Sequence, residues 1–367
     1  MFLHLIHPNA KFVPLVRDLF EAVAPEQNVY VVYNPKGKDF SDVNGVRGVC
    51  DVDELREIYA SRDDWQGVVV NGMCESLATT IDILPPSLKV AWFIWGHELY
   101  GIWPALHSKL YRSKTRLYVA PEWKHLLRPY WWGLCGRYVK MRKVLKRVNY
   151  FVSQFPGEFE ILKEERIRFD MEYLDCPVAP LERLVDTESS FTALGADIQV
   201  GNSASYSNNH TEAFLRLAKM DLGARKVIVP LSYGSAACRD QIIADGERIL
   251  GENFEPITEF MDLSKYTQLM QRCGVVIMNH SRQQAVGNVV AALWRGAHVM
   301  LNDTPVLQRF LAEGFSVHNI NTVESLIPLP LSKVEQEKQR MRLRAYLSNE
   351  VVSAKARNVL NQLSASN

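Results

Sequence analysis

Between two apolar runs lies the polar knot Asn279-His280-Ser281-Arg282-Gln283-Gln284, followed at once by Gly287-Asn288. The guanidinium of Arg282 is a permanent cation whose fork matches the oxygens of a phosphate. Gln283 and Gln284 suit sugar hydroxyls or an acetamido group, and His280 adds a ring nitrogen. Gly287 stands inside a helical pattern, where it costs ~1 kcal/mol relative to Ala, and it leaves a ligand unobstructed. The plainer reading of the same letters is a solvated turn capped by Ser281.

A second cluster, "VGNSASYSNNHTEAF" (200–214), begins with Gly201, Asn202 and Ser203. The glycine permits close backbone approach. The helix that opens near Asn208 or Asn209 offers free amides and a positive dipole end, a cradle suited to a diphosphate. It is neither a Walker loop nor Gly-x-Gly-x-x-Gly, and an ordinary Ser/Asn-capped turn would read alike. A third stretch, "AWFIWGHELYGIW" (91–103), ends an apolar strand at Gly96 and puts His97 and Glu98 beyond it. Both are types used as general bases, although a Glu in the first turn of a helix is also favourable in itself. Asn71 and Glu75 in "VVNGMCESL" form a weaker counterpart.

A fourth feature is electrostatic. The chain has 367 residues, 42 Lys/Arg and 41 Asp/Glu, for a net charge of +1. Residues 101–149 hold 12 of the basic residues and only one acid, Glu122, which leaves 30 basic against 40 acidic elsewhere. Within this block Arg128, Lys140, Arg142, Lys143 and Lys146 are interleaved with aromatics such as Trp131 and Trp132. That mixture suits an anionic membrane surface. Nucleic acid is the rival partner, and a solvated helix face the bland one, but such faces usually mix charge signs.

These residues need a scaffold. Apolar strand-like runs at 2–6, 28–34, 67–72, 89–95 and 150–155 alternate with helical patterns, and the alternation resumes at 197–203, 226–231, 274–279 and 297–302. Such alternation specifies right-handed βαβ units and parallel sheets. The length suits two domains, and the periodicity lapses at 181–197. The expected division is 1–185, 186–345 and a C-terminal helix over 346–367 that packs back on the first domain. Two such domains imply a cleft, with ligands beyond the carboxyl ends of the strands. The six cysteines are scattered without metal spacing, which points to a reducing compartment and away from structural zinc. No secretory leader and no run of ~18 apolar residues stands out. Asp51-Val52-Asp53 has the letters of a metal-binding Asp-x-Asp but opens a helix, so no metal site and no resident cofactor are expected.

In combination, "WGHELY" (95–100), "VGNS…SNNH" (200–210), "VIVPLSYG" (227–234) and "SRQQAVGN" with its following helix (281–296) resemble glycosyltransferase family 56. These are the bacterial TDP-4-acetamido-4,6-dideoxygalactose:lipid II transferases of enterobacterial common antigen synthesis. The resemblance covers roughly residues 89–310. It implies a GT-B fold, with two Rossmann-like domains and parallel sheets facing a central cleft. It further implies transfer of a deoxyamino sugar from a TDP- or UDP-sugar to a polyprenyl-diphosphate-linked saccharide, at the cytoplasmic face of the inner membrane. On this reading Gly201, Asn202, Ser203, Tyr233, His280, Arg282, Gln283, Gln284, Gly287 and Asn288 serve the donor, and His97 or Glu98 is the base. The basic block meets the membrane, and nucleic acid is not a partner. The alternatives are a nucleotide-sugar 2-epimerase on the same fold, or a non-enzymatic binder of anionic polymer or membrane.

Overall fold

The computed structural model describes residues 1–7, 12–34, 45–102, 106–107, 109–119, 123–165, 169–188, 192–322 and 330–365. Seven parallel strands form the first sheet: β1 (Phe2–Ile6), β2 (Asn28–Tyr33), β3 (Val46–Val49), β4 (Gly67–Asn71), β5 (Val90–Phe93), β6 (Tyr150–Ser153) and β7 (Glu172–Asp175). Their order is β3-β2-β1-β4-β5-β6-β7. The second sheet has six parallel strands: β8 (Asp197–Val200), β9 (Val227–Pro230), β10 (Phe254–Ile257), β11 (Cys273–Met278), β12 (His298–Leu301) and β13 (Val317–Asn319). Their order is β10-β9-β8-β11-β12-β13. In each sheet the direction of winding reverses once, between β1 and β4 and between β8 and β11. Those reversals are where an open parallel sheet offers a crevice at its carboxyl edge.

Burial explains why the central strands read as unbroken apolar runs. Every residue of β1, β4, β5, β6 and β11 is buried, as expected when helices cover both faces of a parallel sheet. In the second sheet Ile198, Val200, Val227 and Val229 pack on one face with Phe214, Cys238 and Ile242. Gln199, one step out of phase, therefore faces the other side.

The chain divides into two compact units. One comprises residues 1–104, 129–180 and 347–367; the other comprises 105–128 and 181–346. Residues 105–128, the first half of the basic block, thus fold with the second sheet, where sequence alternation had assigned them to the first domain. The reason is a set of side-chain anchors. Glu212 accepts from the backbone of Lys114 and Thr115 at 2.8 and 3.0 Å and from the Thr115 hydroxyl at 2.6 Å. The Tyr118 hydroxyl donates to Asp245 at 2.6 Å, and Arg112 donates to Asn302 and Asn321. In the first unit the last helix, Asn349–Ser364, packs on β4, β5 and the helix Val13–Glu21. A Cβ at Gly67 would stand 2.6 Å from that of Leu363.

Candidate functional site

The loops that follow β8 and β11 meet at the reversal of the second sheet, so the two donor clusters of the sequence are brought together. Amide side chains join them. Asn209 Nδ2 donates to the Asn279 carbonyl at 3.1 Å, and Asn279 Nδ2 returns a bond to the Asn209 carbonyl at 3.0 Å. His280 Nε2 pairs with Asn208 Oδ1 at 2.9 Å, the oxygen that also accepts the Asn202 amide at 3.2 Å. Ser207 donates to Gln284 at 3.0 Å. Asn209 also donates to the Leu110 carbonyl at 3.2 Å and accepts the Arg112 amide at 2.8 Å, tying the 105–128 segment to the same point.

Two helices begin here, His210–Leu217 and Val286–Arg295. Their N-cap residues, Asn209 and Ala285, both adopt left-handed conformations (φ 49° and 55°), and neither makes a side-chain cap bond. Helices Ala236–Leu250, Leu263–Met270 and Pro305–Ala312 of the same unit are capped by Ser235, Asp262 and Thr304. The ordinary capped turn is therefore absent at the two helices of the reversal. Their first amides receive no side-chain cap, which is the arrangement that can take up an anion. A left-handed Ala is a strained backbone of the sort that collects at functional sites.

Several sequence-assigned donor residues serve the scaffold first. His280 is buried, and burial, helped by the charge of Arg282, pushes its pKa down to about 3. Gly201 has φ +68°, and a Cβ there would meet His210 Nε2 at 2.4 Å, so its first duty is to admit that ring. Gly287 lines a cavity, but a Cβ would make only an ordinary 3.6 Å contact with Leu184, so no clash demands glycine there. Ser203 is buried, while Asn202, Arg282, Gln283, Gln284 and Asn288 are partly exposed. Arg282 Nη1 donates to the Gln283 carbonyl at 2.6 Å. Tyr233 is half exposed, and its carbonyl accepts the Ala204 amide at 2.9 Å, which joins the loop after β9 to the loop after β8. Sequence reasoning missed the parts of Asn208, Asn209 and His210. His210 is buried with its pKa pushed by burial to about 3, and its Nε2 lacks a partner. The run Ser-Asn-Asn-His before a helix was the available signal.

The reversal in the first unit is built differently. The His7 amide bonds the Asn71 carbonyl at 2.8 Å, and Trp95 stacks on Phe12 with centroids 4.4 Å apart. His7 Nδ1, Asn71 Oδ1 and Trp95 Nε1 are buried without hydrogen-bond partners. Such orphans call for a ligand or water. Glu98 is buried, and its Oε1 accepts the Trp95 amide at 2.8 Å, while His97 Nδ1 lies 3.3 Å from Glu98 Oε2. His97 is the exposed member of the pair, with its side chain 40% exposed. The two are thus an oriented imidazole and its orienting carboxylate, not interchangeable candidates. Burial, and then the charge of His97, lowers the pKa of neighbouring His7 to about 4.

The basic block continues in helices Trp123–Leu134 and Arg137–Leu145. On the first, Trp123, Leu127, Tyr130, Trp131 and Leu134 are all exposed. Their spacing of four, three, one and three residues is one helical face. Arg128 and Trp132 lie on this helix, with side chains outside the described ones. The second helix buries Met141, Val144 and Leu145, with Arg142, Lys143 and Lys146 exposed and Lys140 partly so. Lys143 reaches Asp82 at 3.8 Å. Among the described residues, no helix is long and apolar enough to cross a membrane, and no three His, Cys, Asp or Glu side chains group to hold a metal.

Solved structures share this architecture. A sucrose-phosphate synthase from Thermosynechococcus elongatus matches over all of both chains at TM-score 0.65 and 12% identity. An α,α-trehalose-phosphate synthase (UDP-forming) from Burkholderia vietnamiensis matches over all of both chains at 0.60 and 12%. The N-terminal domain of a Candida albicans trehalose-6-phosphate phosphatase matches over 99% of this chain and 96% of its own at 0.67 and 9%. The fold is GT-B. The model of the family described as 4-alpha-L-fucosyltransferase glycosyl transferase group 56 matches residues 135–325. That span runs from within the basic aromatic block through β13, more than half of the chain, and on it the chain belongs to glycosyl transferase group 56 as a GT-B glycosyltransferase.

Proposed function

We propose that this glycosyltransferase moves a deoxyamino or other 6-deoxy sugar from a TDP- or UDP-sugar to a polyprenyl-diphosphate-linked saccharide of the bacterial envelope, working as a peripheral protein on the cytoplasmic face of the inner membrane. The observation that carries the donor half is the pair of uncapped helix N-termini at the β8/β11 reversal. Their amides and the Arg282 guanidinium would take up the charge that develops on the leaving diphosphate, with no reorganisation at the moment of transfer. The family's description names a fucosyl group, itself a 6-deoxyhexose, which agrees with the sugar class. Gln283, Gln284 and Asn288 would bond sugar hydroxyls, and Tyr233 the base. For an inverting transfer, His97 takes the proton of the acceptor hydroxyl while Glu98 holds the ring.

The acceptor half rests on the exposed stripe of Trp123, Leu127, Tyr130, Trp131 and Leu134 and on the exposed cations Arg142, Lys143 and Lys146 that follow it in the chain. An aromatic, apolar face with exposed basic residues is how a helix lies in an anionic interface. Each such cation near the leaflet contributes about 1 kcal/mol. Full-length protein should be protected against heat by TDP or UDP and should sediment with anionic liposomes in a salt-sensitive way. Reversing Lys140, Arg142, Lys143 and Lys146 to Glu should release it from the liposomes. Protection by nucleotide without liposome binding would favour a soluble acceptor, and the absence of both responses would overturn both halves of the proposal. Turnover should persist in EDTA, and rescue of a chelated enzyme by magnesium would overturn the metal-free mechanism.

A further inference from the structure

Behind the donor loops the second unit contains a cavity of about 810 Å³. It lies between helices Val286–Arg295 and Leu263–Met270, on the sheet face to which Gln199 points. Leu184, Tyr266, Ala291 and Trp294 supply most of its apolar wall, and Arg295 lies in its lining. Gly287 and Asn288 line it two helical turns away, ~12 Å along the axis. The volume and the mostly apolar wall are those of a small-molecule pocket.

Arg295 is the anomaly. Its side chain belongs to a residue only 9% exposed, and its Nε has no hydrogen-bond partner. It is not employed in capping its own helix. The carbonyls of Ala292, Leu293, Trp294 and Arg295 are taken by Ala297, Gly296, Arg340 and Ala193. Burial pulls its pKa below the usual arginine range, and among the described residues the groups that act against this are the Tyr266 hydroxyl and the Cys273 thiol, with no carboxylate. Glu182 and Asp186 line the same cavity but are exposed. Tyr266 accepts from Gln199 Nε2 at 3.5 Å, which leaves its own proton for another acceptor. An arginine does not shed its charge in a protein, and a buried charge without a counter-charge is costly. The wall thus offers a fork and a hydroxyl, both donors, and its two carboxylates, Glu182 and Asp186, are exposed to solvent, not buried with the guanidinium.

We infer that this cavity is an anion-binding site in which Arg295 grips a phosphate or carboxylate group and Tyr266 adds its hydroxyl, while the apolar wall covers the compact body that carries the group. It borders the donor loops at Gly287 and Asn288, but its cation is Arg295, ~12 Å along the helix from them, and not the cradle's Arg282, so it stands whether or not that donor reading holds.

The test is thermal melting of the full-length protein at constant ionic strength with phenyl phosphate, benzoate or added chloride. Wild type should show a saturable rise with phenyl phosphate or benzoate and none with chloride; the better of the two identifies the oxyanion. Arg295→Met, which removes a buried lone charge and keeps the volume, should melt higher than wild type without anion and should ignore both probes. Arg295→Lys keeps the charge but loses the fork, so its response should need about tenfold more probe. Arg282→Ala should respond as wild type does. No anion response in wild type, a lower melting point for Arg295→Met, an undiminished response in either Arg295 variant, or a response lost in Arg282→Ala would each overturn the site.

Discussion

The two sheets reverse their winding in the same way, yet the tips at those reversals are made of different materials. In the second unit Asn208, Asn209 and Asn279 spend their side chains on backbone groups of neighbouring loops. Beside them stand two helix N-termini without side-chain caps and the partly exposed side chains of Asn202, Arg282, Gln283 and Gln284. In the first unit rings and imidazoles crowd together, and side-chain atoms of His7, Asn71 and Trp95 are left without partners, as are Asn279 Oδ1 and His210 Nε2 in the second. A backbone-lined recess is rigid and suits a group that must be held the same way at every turnover. On the proposed function, a tip of imidazoles and rings would suit proton transfer to and from an acceptor. The difference teaches that topology fixes where a ligand goes, while the residues at the tip fix what is done to it.

The largest test of that contrast is on rate. His97→Gln should lower turnover by ~10²–10⁴, the range for a lost general base, with nucleotide affinity intact by calorimetry. Glu98→Gln, which can still meet the Trp95 amide, should cost less. Near-normal turnover in His97→Gln would make the first tip structural. The next effect is on stability. Asn209→Ala strands carbonyls in three segments and removes a side chain tolerant of φ 49°, so it should destabilise by ~3 kcal/mol in urea melts. His7→Ala should cost well under that, and a reversed ranking would break the comparison. Arg282→Ala should weaken nucleoside diphosphate binding by ~1.5–3 kcal/mol and leave Tm almost unchanged, since it holds no core.

The smallest effect per step is on pH. His210 and His280 are fully buried with pKa values of about 3, against an unfolded value near 6.5. Below pH ~6.5 the unfolded chain takes protons that the folded one refuses. The stability present at neutral pH is then lost as pH falls toward 3, by up to ~1.4 kcal/mol per pH unit for each ring. His7, at about 4 and partly exposed, should add less. His280→Asn should flatten the slope of stability between pH 6.5 and 4.5; an unchanged slope would remove this ring from the account.

Central strands such as β1, β4 and β11 were legible because burial on both faces leaves an unbroken apolar run. Edge strands β3, β7, β10 and β13 were not, being short and partly exposed, without such a run. Both donor loops were legible as Gly/Asn/Ser-rich breaks after strands, but the duties of their residues were not. Gly201 is required by His210 nine positions on, and Asn209 joins Leu110 to Asn279, partners 99 and 70 residues away. No local pattern encodes such pairs. Arg295 reads as an ordinary cation in the last turn of a helix, and only its burial sets it apart. The docking of 105–128 depends on Glu212 and Asp245, which look like surface acids in the letters.

The last helix, Asn349–Ser364, has a consequence for synthesis. All seven strands of the first sheet are made by residue 175, yet β4 and β5 await the face carrying Val352, Ala356, Val359, Leu360 and Leu363. At about 5–20 residues per second, the ribosome needs roughly 10–40 s to deliver it. The unit begun first is therefore finished last, and during that interval an apolar strip lies open to chaperones or to a neighbouring nascent chain. A stop codon or a bulky fusion placed near residue 347 would make that interval permanent.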